Sequence, residues 1–143
     1  MDKKYDVLKL SNQLCFPLYA AAREVVKRYR PHLDEIGLTY TQYITMMVMW
    51  EQQKITVKAL GQTLFLDSGT LTPVLKSLEA KGYVTRKRSA EDERSVFVYL
   101  TDSGEALRER AVEIPGKVAG CVGLDPSEAL ALYETLYKIL KTE

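Results

Sequence analysis

The segment "DSGTLTPVLKSLEAKGYVTRKRSAEDERSVFVYL", residues 67–100, decides the fold of this chain. Its first half predicts a helix over residues 68–80, because apolar residues recur at the three- and four-residue spacing that one helix face requires. These apolar residues are Leu71, Val74, Leu75 and Leu78. Asp67 or Ser68 is suited to cap the start of this helix, and Gly82 is suited to end it. The segment therefore begins with a helix that is buried on one side.

The second half of the segment predicts a β-hairpin. Residues 83–88 and 95–100 are rich in β-branched and aromatic side chains, and the polar stretch "SAEDER" separates them. Upstream, Val57, Leu60 and Leu64 form the apolar stripe of another short helix. Two short helices joined by a tight turn and followed by a hairpin are typical of a winged helix-turn-helix. We therefore expect a mainly α-helical fold with a small β-hairpin wing.

Such a fold presents one helix to the major groove of DNA and the hairpin tip to the backbone or the minor groove. Small hydroxyl residues and a glycine on the exposed side of the helix allow close approach to phosphates and base edges. That side carries Ser68, Gly69, Thr70, Thr72, Pro73, Lys76 and Ser77, and the wing adds the basic residues Arg86, Lys87, Arg88 and Arg94. A solvated amphipathic helix beside a charged surface hairpin is the alternative that periodicity alone leaves open.

The composition narrows the class of protein. The chain has 143 residues, 46% of them hydrophobic and 27% charged, which fits one globular domain, and its net charge of +1 requires any DNA binding to come from local patches. The longest apolar run, residues 43–50, is too short to span a bilayer, and the first ten residues lack the apolar core of a signal peptide. We therefore expect a cytoplasmic protein with no membrane partner. The only histidine, His32, cannot anchor a metal cluster by itself, so we expect neither metal nor cofactor.

Residues 11–30, "SNQLCFPLYAAAREVVKRYR", have the apolar spacing of a long helix, which we expect Pro31 to end. Pro17 leaves two possibilities open. The helix either starts at Ser11 and is kinked, or it starts at Pro17 and leaves Cys15 in the cap region.

Cys15, Tyr19 and Tyr29 share one stripe of this helix. At about 100° per residue, Tyr19 lies roughly 40° to one side of Cys15 and Tyr29 roughly 40° to the other. Cys15 and Tyr29 are nevertheless roughly 21 Å apart along the axis, so they cannot touch within one continuous helix. They could touch if two copies of the helix paired antiparallel about a twofold axis near Ala22.

Two further helices are predicted after the hairpin. The first has an apolar stripe of Leu107, Ala111, Ile114 and Val118, and we expect Pro115 to bend it. The second has a clear start, with Asp125 as the capping residue, Pro126 at the first helical position and Glu128 at the third. Between them, glycines surround Cys121 in the stretch "PGKVAGCVGLDP" and make the backbone permissive.

Several of these motifs resemble a known family. Residues 67–104 look like the DNA-binding core of the MarR family of transcription regulators, and "DER" (92–94) followed by "LT" (100–101) resembles the wing signature of that family. "NQLCFPLY" and "LTYTQYITMMVMWE" resemble, more narrowly, the organic hydroperoxide sensors of that family, the OhrR type.

The resemblance implies a homodimeric repressor that binds a pseudo-palindromic double-stranded DNA operator and takes an organic hydroperoxide as its signal. It identifies Cys15 as the reactive cysteine, implies that Tyr19 and Tyr29 hold its sulfur, and adds Asp92 to the DNA-contacting set. The implied organisation is a single domain over residues 1–143. Its winged-helix lobe covers about 54–101, and its dimerisation helices cover about 8–30 and 102–142.

The chemistry of a sensor needs these residue types. A thiolate is the nucleophile, and phenol hydroxyls can donate hydrogen bonds to it without adding charge. Attack on a hydroperoxide gives a sulfenic acid, which a small thiol or a second cysteine, here Cys121, then caps. The alternatives are a buried and inert Cys15, a chance loop cysteine at 121, and a regulator that answers another oxidant or a small aromatic ligand. A thiol peroxidase is disfavoured, because no Pro-x-x-x-Thr motif precedes Cys15 and the wing would be unexplained.

Overall fold

In the computed structural model, which describes residues 3–141, helices surround a small antiparallel sheet. Two short 3-10 helices, Lys3–Leu8 and Leu10–Asn12, precede the regular elements. These are α1 (Cys15–Asp34), α2 (Tyr40–Gln52), β1 (Lys54–Thr56), α3 (Val57–Leu64), α4 (Ser68–Ala80), β2 (Val84–Arg88), β3 (Val96–Leu100), α5 (Asp102–Ala111), α6 (Ile114–Ala119) and α7 (Pro126–Lys141). The expected mainly α-helical winged fold is confirmed.

The sheet has one strand more than the predicted hairpin. Its order is β1-β3-β2, and both pairings are antiparallel. β1 has only three residues, of which Ile55 pairs with Val98 in the middle of β3. A strand this short has no alternating pattern that a sequence could reveal, and its place depends on the pairing alone. The hairpin is thereby held against the start of α3, which follows β1 directly.

The core of the winged lobe lies between α2, α3, α4 and the inner face of the sheet. The predicted stripes point into it, and its fully buried side chains include Met46, Met49, Leu60, Leu71, Leu75, Leu78, Val84 and Val98. Trp50 lies at the edge of this core and donates its Nε1 hydrogen to the carbonyl of Gly104, at 2.9 Å. α5 is therefore attached to the lobe by both packing and a buried hydrogen bond.

The boundaries predicted for the first helix were wrong at both ends, since α1 begins at Cys15 rather than at Ser11 or Pro17 and does not stop at Pro31. α1 continues through Pro31 to Asp34, and Leu33 near its end is buried. The chain turns at Gly37, whose φ of 69° suits glycine. Pro17 is the third residue of α1, where the backbone N–H would have no partner within the helix, so it breaks no hydrogen bond. α1 is thus one continuous helix that begins at Cys15.

The predicted bent helix after the wing is two helices. α5 ends at Ala111 and α6 begins at Ile114, with Pro115 in the first turn of α6. The apolar stripe predicted across this region is buried in both helices. The start of α7 is confirmed: Glu128 N donates to Asp125 Oδ1 at 2.9 Å, and Asp125 N donates to Glu128 Oε1 at 3.3 Å. Hydrogen bonds from Ser127 and from Glu128 hold the pKa of Asp125 at about 2.

Two further expectations from the sequence concern membrane crossing and the end of the last helix. Over residues 3–141, no helix combines the length and the apolar character that crossing a membrane requires. The last helix was expected to extend to residue 142, which lies outside the described residues.

Replacing Gly104 by alanine should destabilise the fold. A Cβ at this position would press on the carbonyl of Tyr83 and lie 2.7 Å from Leu100 Cδ1. Because this part of the core is closely packed, we expect the free energy of unfolding to fall by about 1–3 kcal/mol. Urea titration at one fixed protein concentration measures the change.

The matched control is Gly116→Ala in α6, where an added Cβ meets nothing within 4 Å. Its free energy of unfolding should stay the same or rise, since alanine favours the helix. Equal losses in both variants would show that the contact with Tyr83 is not the cause.

Candidate functional site

The exposed side of α4 carries most of the residues predicted to face DNA. Asp67 caps the helix by accepting a hydrogen bond from Thr70 N at 2.7 Å, and this bond lowers the pKa of the Asp67 carboxyl. Ser68, Thr70, Pro73 and Lys76 are exposed, and Thr72 is half-buried with its hydroxyl on the carbonyl of Ser68. The cap keeps these side chains in a fixed register along one open face.

Ser77 does not belong to this face, although the sequence suggested it. Its hydroxyl accepts a hydrogen bond of 2.8 Å from Nε2 of Gln42, a buried residue of α2. The Oε1 atom of the same glutamine accepts from Thr39 N at 3.0 Å and from Lys81 Nζ at 3.3 Å. Ser77 and Lys81 therefore join the C-terminal end of α4 to the start of α2.

An open groove of about 1080 Å³ lies between the wing and the part of the helix-turn-helix formed by α3 and the start of α4. Phe65 and Ser68 contribute to the wall formed by the helix-turn-helix, and Arg94 and Val96 contribute to the wall formed by the wing. Ser68 and Thr72, at the start of α4, line this groove together with Arg94 at the wing tip. A nucleic acid that contacted both the start of α4 and the wing tip would follow this groove.

The basic residues of the wing have different environments. Arg86 is turned towards α4: its Nη2 lies 3.2 Å from Glu79 Oε1, and its backbone N–H donates to Glu79 Oε2 at 3.1 Å. The arginine side chain is only 25% exposed, and its hydrogen bond lowers the pKa of Glu79. Arg86 thus ties the wing to the helix, whereas Arg88 and Arg94 are exposed.

Asp92 shapes the tip of the wing. One carboxylate oxygen accepts from Arg94 N at 3.0 Å, and the other accepts from Ser95 Oγ at 3.3 Å. Arg88 contributes to the same turn by donating to the carbonyl of Glu93 at 3.4 Å. An anionic side chain that faced phosphates would be repelled, and in this turn the Asp92 carboxylate instead fixes the backbone from which Arg94 projects.

Cys15 and Tyr29 lie at opposite ends of α1. Cys15 is a free, exposed cysteine at the first position of the helix, where backbone N–H groups lack partners and favour an anionic group. Tyr19, one turn later, is 60% exposed, and its hydroxyl lies 3.4 Å from Arg23 Nη1. Because α1 is continuous, one chain brings Cys15 close to Tyr19 but leaves Tyr29 roughly 21 Å away along the axis.

Tyr29 belongs to a cluster of three tyrosines. Its ring lies 5.3 Å from that of Tyr40, edge to face, and 5.8 Å from that of Tyr43. Burial raises the pKa of Tyr29 and of Tyr40, and burial with the two neighbouring phenols raises the pKa of Tyr43 to about 12. The three phenols therefore keep their protons and can act as hydrogen-bond donors. Tyr40 was not among the predicted site residues, and it meets Tyr29 because the turn between α1 and α2 brings the two rings together.

Cys121 lies just after α6, beside the Tyr29 end of α1. It is a free, exposed cysteine whose Sγ lies 3.5 Å from the carbonyl of Lys117. Its own carbonyl accepts a hydrogen bond from Arg28 Nη1. Since Arg28 is 13 residues after Cys15, the two cysteines of one chain are separated by roughly 20 Å along α1. Within residues 3–141, no three His, Cys, Asp or Glu side chains are grouped so that they could hold a metal ion.

Comparisons with known proteins all match transcription regulators. Residues 26–110 match the family described as "Transcriptional regulator SarA/Rot". The organic hydroperoxide resistance transcriptional regulator of Bacillus subtilis (strain 168) is 49% identical over 142 residues, which cover 99% of this chain and 97% of that protein.

Two solved structures of AbfR, a protein of Staphylococcus epidermidis, are also similar. Overoxidized AbfR bound to DNA is 36% identical, with 96% of this chain and 97% of that chain covered and a TM-score of 0.79. Disulfide-formed AbfR is 35% identical, with the same coverage and a TM-score of 0.67.

The tie between the wing and α4 should depend on pH. The pKa of Glu79 is lowered in the folded chain, so the pair with Arg86 stabilises the fold above the unfolded value of about 4.3 and loses this effect as the pH falls through the lower folded value. Glu79→Gln should therefore reduce the melting temperature at pH 7, and the difference from the unsubstituted chain should shrink below about pH 4. Thermal denaturation followed by circular dichroism measures the melting temperatures of both chains at each pH.

Glu109→Gln, at an exposed carboxylate of α5, is the matched control and should show a small difference at both pH values. A Glu79→Gln effect that stayed constant from pH 7 to pH 3 would contradict the assignment.

Proposed function

Because the chain belongs to the MarR-type family of transcriptional regulators, in the group of the organic hydroperoxide resistance regulator and the SarA/Rot proteins, we propose that it is a repressor controlled by peroxide. It binds operator DNA and releases it when an organic hydroperoxide oxidises Cys15. The observation that carries this proposal is the pairing of a winged-helix groove with a free, exposed cysteine at the start of a long helix. The need for DNA and for reduced thiols fits a protein of the cytoplasm.

The winged-helix lobe, residues 54–101, is the part that binds double-stranded DNA. α4 enters the major groove, and the wing tip reaches the neighbouring backbone or minor groove. The contacts come from Ser68, Thr70, Thr72, Pro73 and Lys76 on α4 and from Arg88 and Arg94 on the wing. Arg86 and Asp92 act indirectly: the first holds the wing against α4, and the second shapes the tip.

A second copy of the chain completes the sensor. The first turns of α1 and the length of α7 expose large apolar side chains, which a monomer would leave in water: Leu14, Phe16, Leu18, Leu130, Leu132, Tyr133, Ile139 and Leu140. Pairing of these segments in a homodimer buries them. If the two α1 helices run antiparallel about a twofold axis near Ala22, residue 15 of one subunit faces residue 29 of the other. The phenols of Tyr29 and Tyr40 in one subunit then donate towards the sulfur of its partner.

The reaction proceeds in two balanced steps. The Cys15 thiol gives up its proton, and the thiolate attacks the terminal oxygen of the hydroperoxide. The O–O bond breaks, the alkoxide takes up the proton that the thiol lost and leaves as the alcohol, and the sulfur, oxidised by two electrons, becomes a sulfenic acid that keeps the hydroperoxide's own proton. The thiol of Cys121 in the partner subunit then attacks this sulfur, so that an S–S bond forms and the oxygen leaves as water. One equivalent of peroxide is consumed, and the chain stops there until a reductant restores the thiols.

Oxidation releases the operator because it changes the contacts between subunits. Two lobes that read a pseudo-palindromic site must keep the spacing of its half-sites, about one helical turn of DNA apart. A disulfide at the sensor pulls α1 of one subunit against the segment after α6 of the other. The two α4 helices then no longer fit successive major grooves.

Arg94→Ala and Arg86→Ala should weaken operator binding in different ways. Loss of Arg94 removes a contact to DNA, so the slope of log affinity against log salt should become shallower by about one unit. Loss of Arg86 loosens the wing but removes no contact, so the affinity should fall while the slope stays the same. Fluorescence anisotropy titrations from 50 to 200 mM salt, roughly the range in which phosphate contacts dominate, separate the two cases. An unchanged affinity for Arg94→Ala would contradict the assignment of the wing.

Cys15→Ser should bind the operator as the unsubstituted chain does and should keep it after addition of an organic hydroperoxide. Serine preserves the size of the side chain but is not a nucleophile towards peroxide at neutral pH. Mobility-shift titration with and without cumene hydroperoxide tests this, and release of the unsubstituted chain that a dithiol reverses is the control. Release of the Cys15→Ser variant at the same dose would show that the signal is sensed elsewhere.

A further inference from the structure

Arg28 fixes the position of the segment that carries Cys121. Its Nη1 donates to the Cys121 carbonyl, and its Nε lies 3.4 Å from Glu24 Oε1, one turn earlier on α1. The N–H of Cys121 donates in turn to the carbonyl of Val118 at the end of α6, at 2.9 Å. The backbone of residue 121 is thus held on both sides, on one side by α6 and on the other by α1. Without Arg28, this glycine-rich segment would keep only the first of these attachments.

We propose that Arg28 is the positioning residue for the reaction of Cys121 with Cys15 of the other subunit, an inference that rests on the proposed disulfide. In the antiparallel pairing about Ala22, residue 28 of one α1 lies level with residue 16 of the other. A Cys121 held at residue 28 therefore lies level with the first turn of the opposite α1, which contains the reactive sulfur. The same cysteine is roughly 20 Å along the axis from Cys15 of its own chain. The hydrogen bond from Arg28 to Cys121 therefore favours reaction with Cys15 of the other subunit.

The hydrogen bond from Arg28 to Cys121 matters because two reactions compete for the sulfenic acid of Cys15. Cys121 converts it to a disulfide, whereas a second molecule of hydroperoxide oxidises it irreversibly to the sulfinic acid. Which product dominates depends on how often the Cys121 thiol is found within bonding reach of the sulfur. Arg28 thus protects the sensor from irreversible damage by keeping Cys121 in place, and it does so through Cys121 rather than by contact with the peroxide.

The experiment measures the partition between the two products. The reduced dimer is treated with cumene hydroperoxide at several ratios, free thiols are alkylated, and mass spectrometry quantifies the Cys15–Cys121 disulfide and the Cys15 sulfinic acid. Arg28→Ala should lower the ratio of disulfide to sulfinic acid by about tenfold, because the thiol is no longer held in position. Arg28→Lys, which keeps a positively charged donor group, should restore part of the ratio. Arg30→Ala, which removes the same charge two residues later, should leave the ratio unchanged.

A second comparison separates positioning from a direct effect on the sulfur. In the Cys121→Ser background no disulfide can form, so Arg28→Ala should not change the rate of sulfinic acid formation. A changed rate there would overturn the inference, as would a ratio in Arg28→Ala equal to or above that of the unsubstituted chain. If the unsubstituted chain itself formed no disulfide, the proposed pairing of Cys15 with Cys121 would fail, and the role of Arg28 would fail with it.

Discussion

A straight helix cannot bring its two ends together, and this constraint governs the sensor. α1 begins with Cys15, contains Tyr29 and runs unbroken to Asp34, because Pro17 lies in its first turn and Pro31 does not stop it. Cys15 and the half-buried Tyr29 are therefore separated by about four turns of helix. A single subunit holds all the parts of the site but cannot assemble them. In the proposed antiparallel dimer, each subunit would supply Cys15 and Tyr19 to one site and Tyr29 to the other, so that chemistry at the sulfur would also be a change at the interface.

Hydrogen bonds between elements join α4 to the C-terminal end of α1, the end that carries Tyr29. Gln42, buried near the start of α2, donates to Ser77 and accepts from Lys81, both at the C-terminal end of α4. Lys81 also donates to the carbonyl of Gly37, in the turn between α1 and α2. A buried amide whose oxygen and nitrogen are both hydrogen-bonded resists rearrangement, since breaking either bond would leave a polar atom unpaired away from water. We infer that α4 follows the corner between α1 and α2 when the subunits shift.

The sequence was sufficient for the parts of the fold that depend on local chemistry. Apolar spacing placed α3 and α4, Asp67 and Asp125 marked the starts of two helices, and the β-branched runs marked β2 and β3. It failed where a contact over long range decides the outcome. β1 is defined by its pairing with β3, a strand more than 40 residues later in the chain.

The same limit applies to the candidate site. Tyr40 meets Tyr29 only after the chain has turned, and a list of basic residues cannot show that Arg86 is bound to Glu79 while Arg94 is exposed. The pattern Cys15, Tyr19 and Tyr29 could be read directly, but the position of Cys121 beside Arg28 could not. That position is what makes a bond between subunits geometrically reasonable, since it lies at the far end of α1 from the Cys15 of the same chain.

The central claim, that the sensor is assembled between subunits, is tested most directly with mixed dimers. A dimer of one Cys15→Ser chain and one Cys121→Ser chain retains an intact cysteine pair only between subunits. A dimer of one unsubstituted chain and one chain with both substitutions retains it only within a subunit. Each mixed dimer is purified away from the two homodimers by a different affinity tag on each chain. After one equivalent of organic hydroperoxide, non-reducing electrophoresis and mass spectrometry should find a cross-linked dimer for the first mixed dimer and no Cys15–Cys121 bond in the second. A disulfide in the second mixed dimer with none in the first would contradict the account.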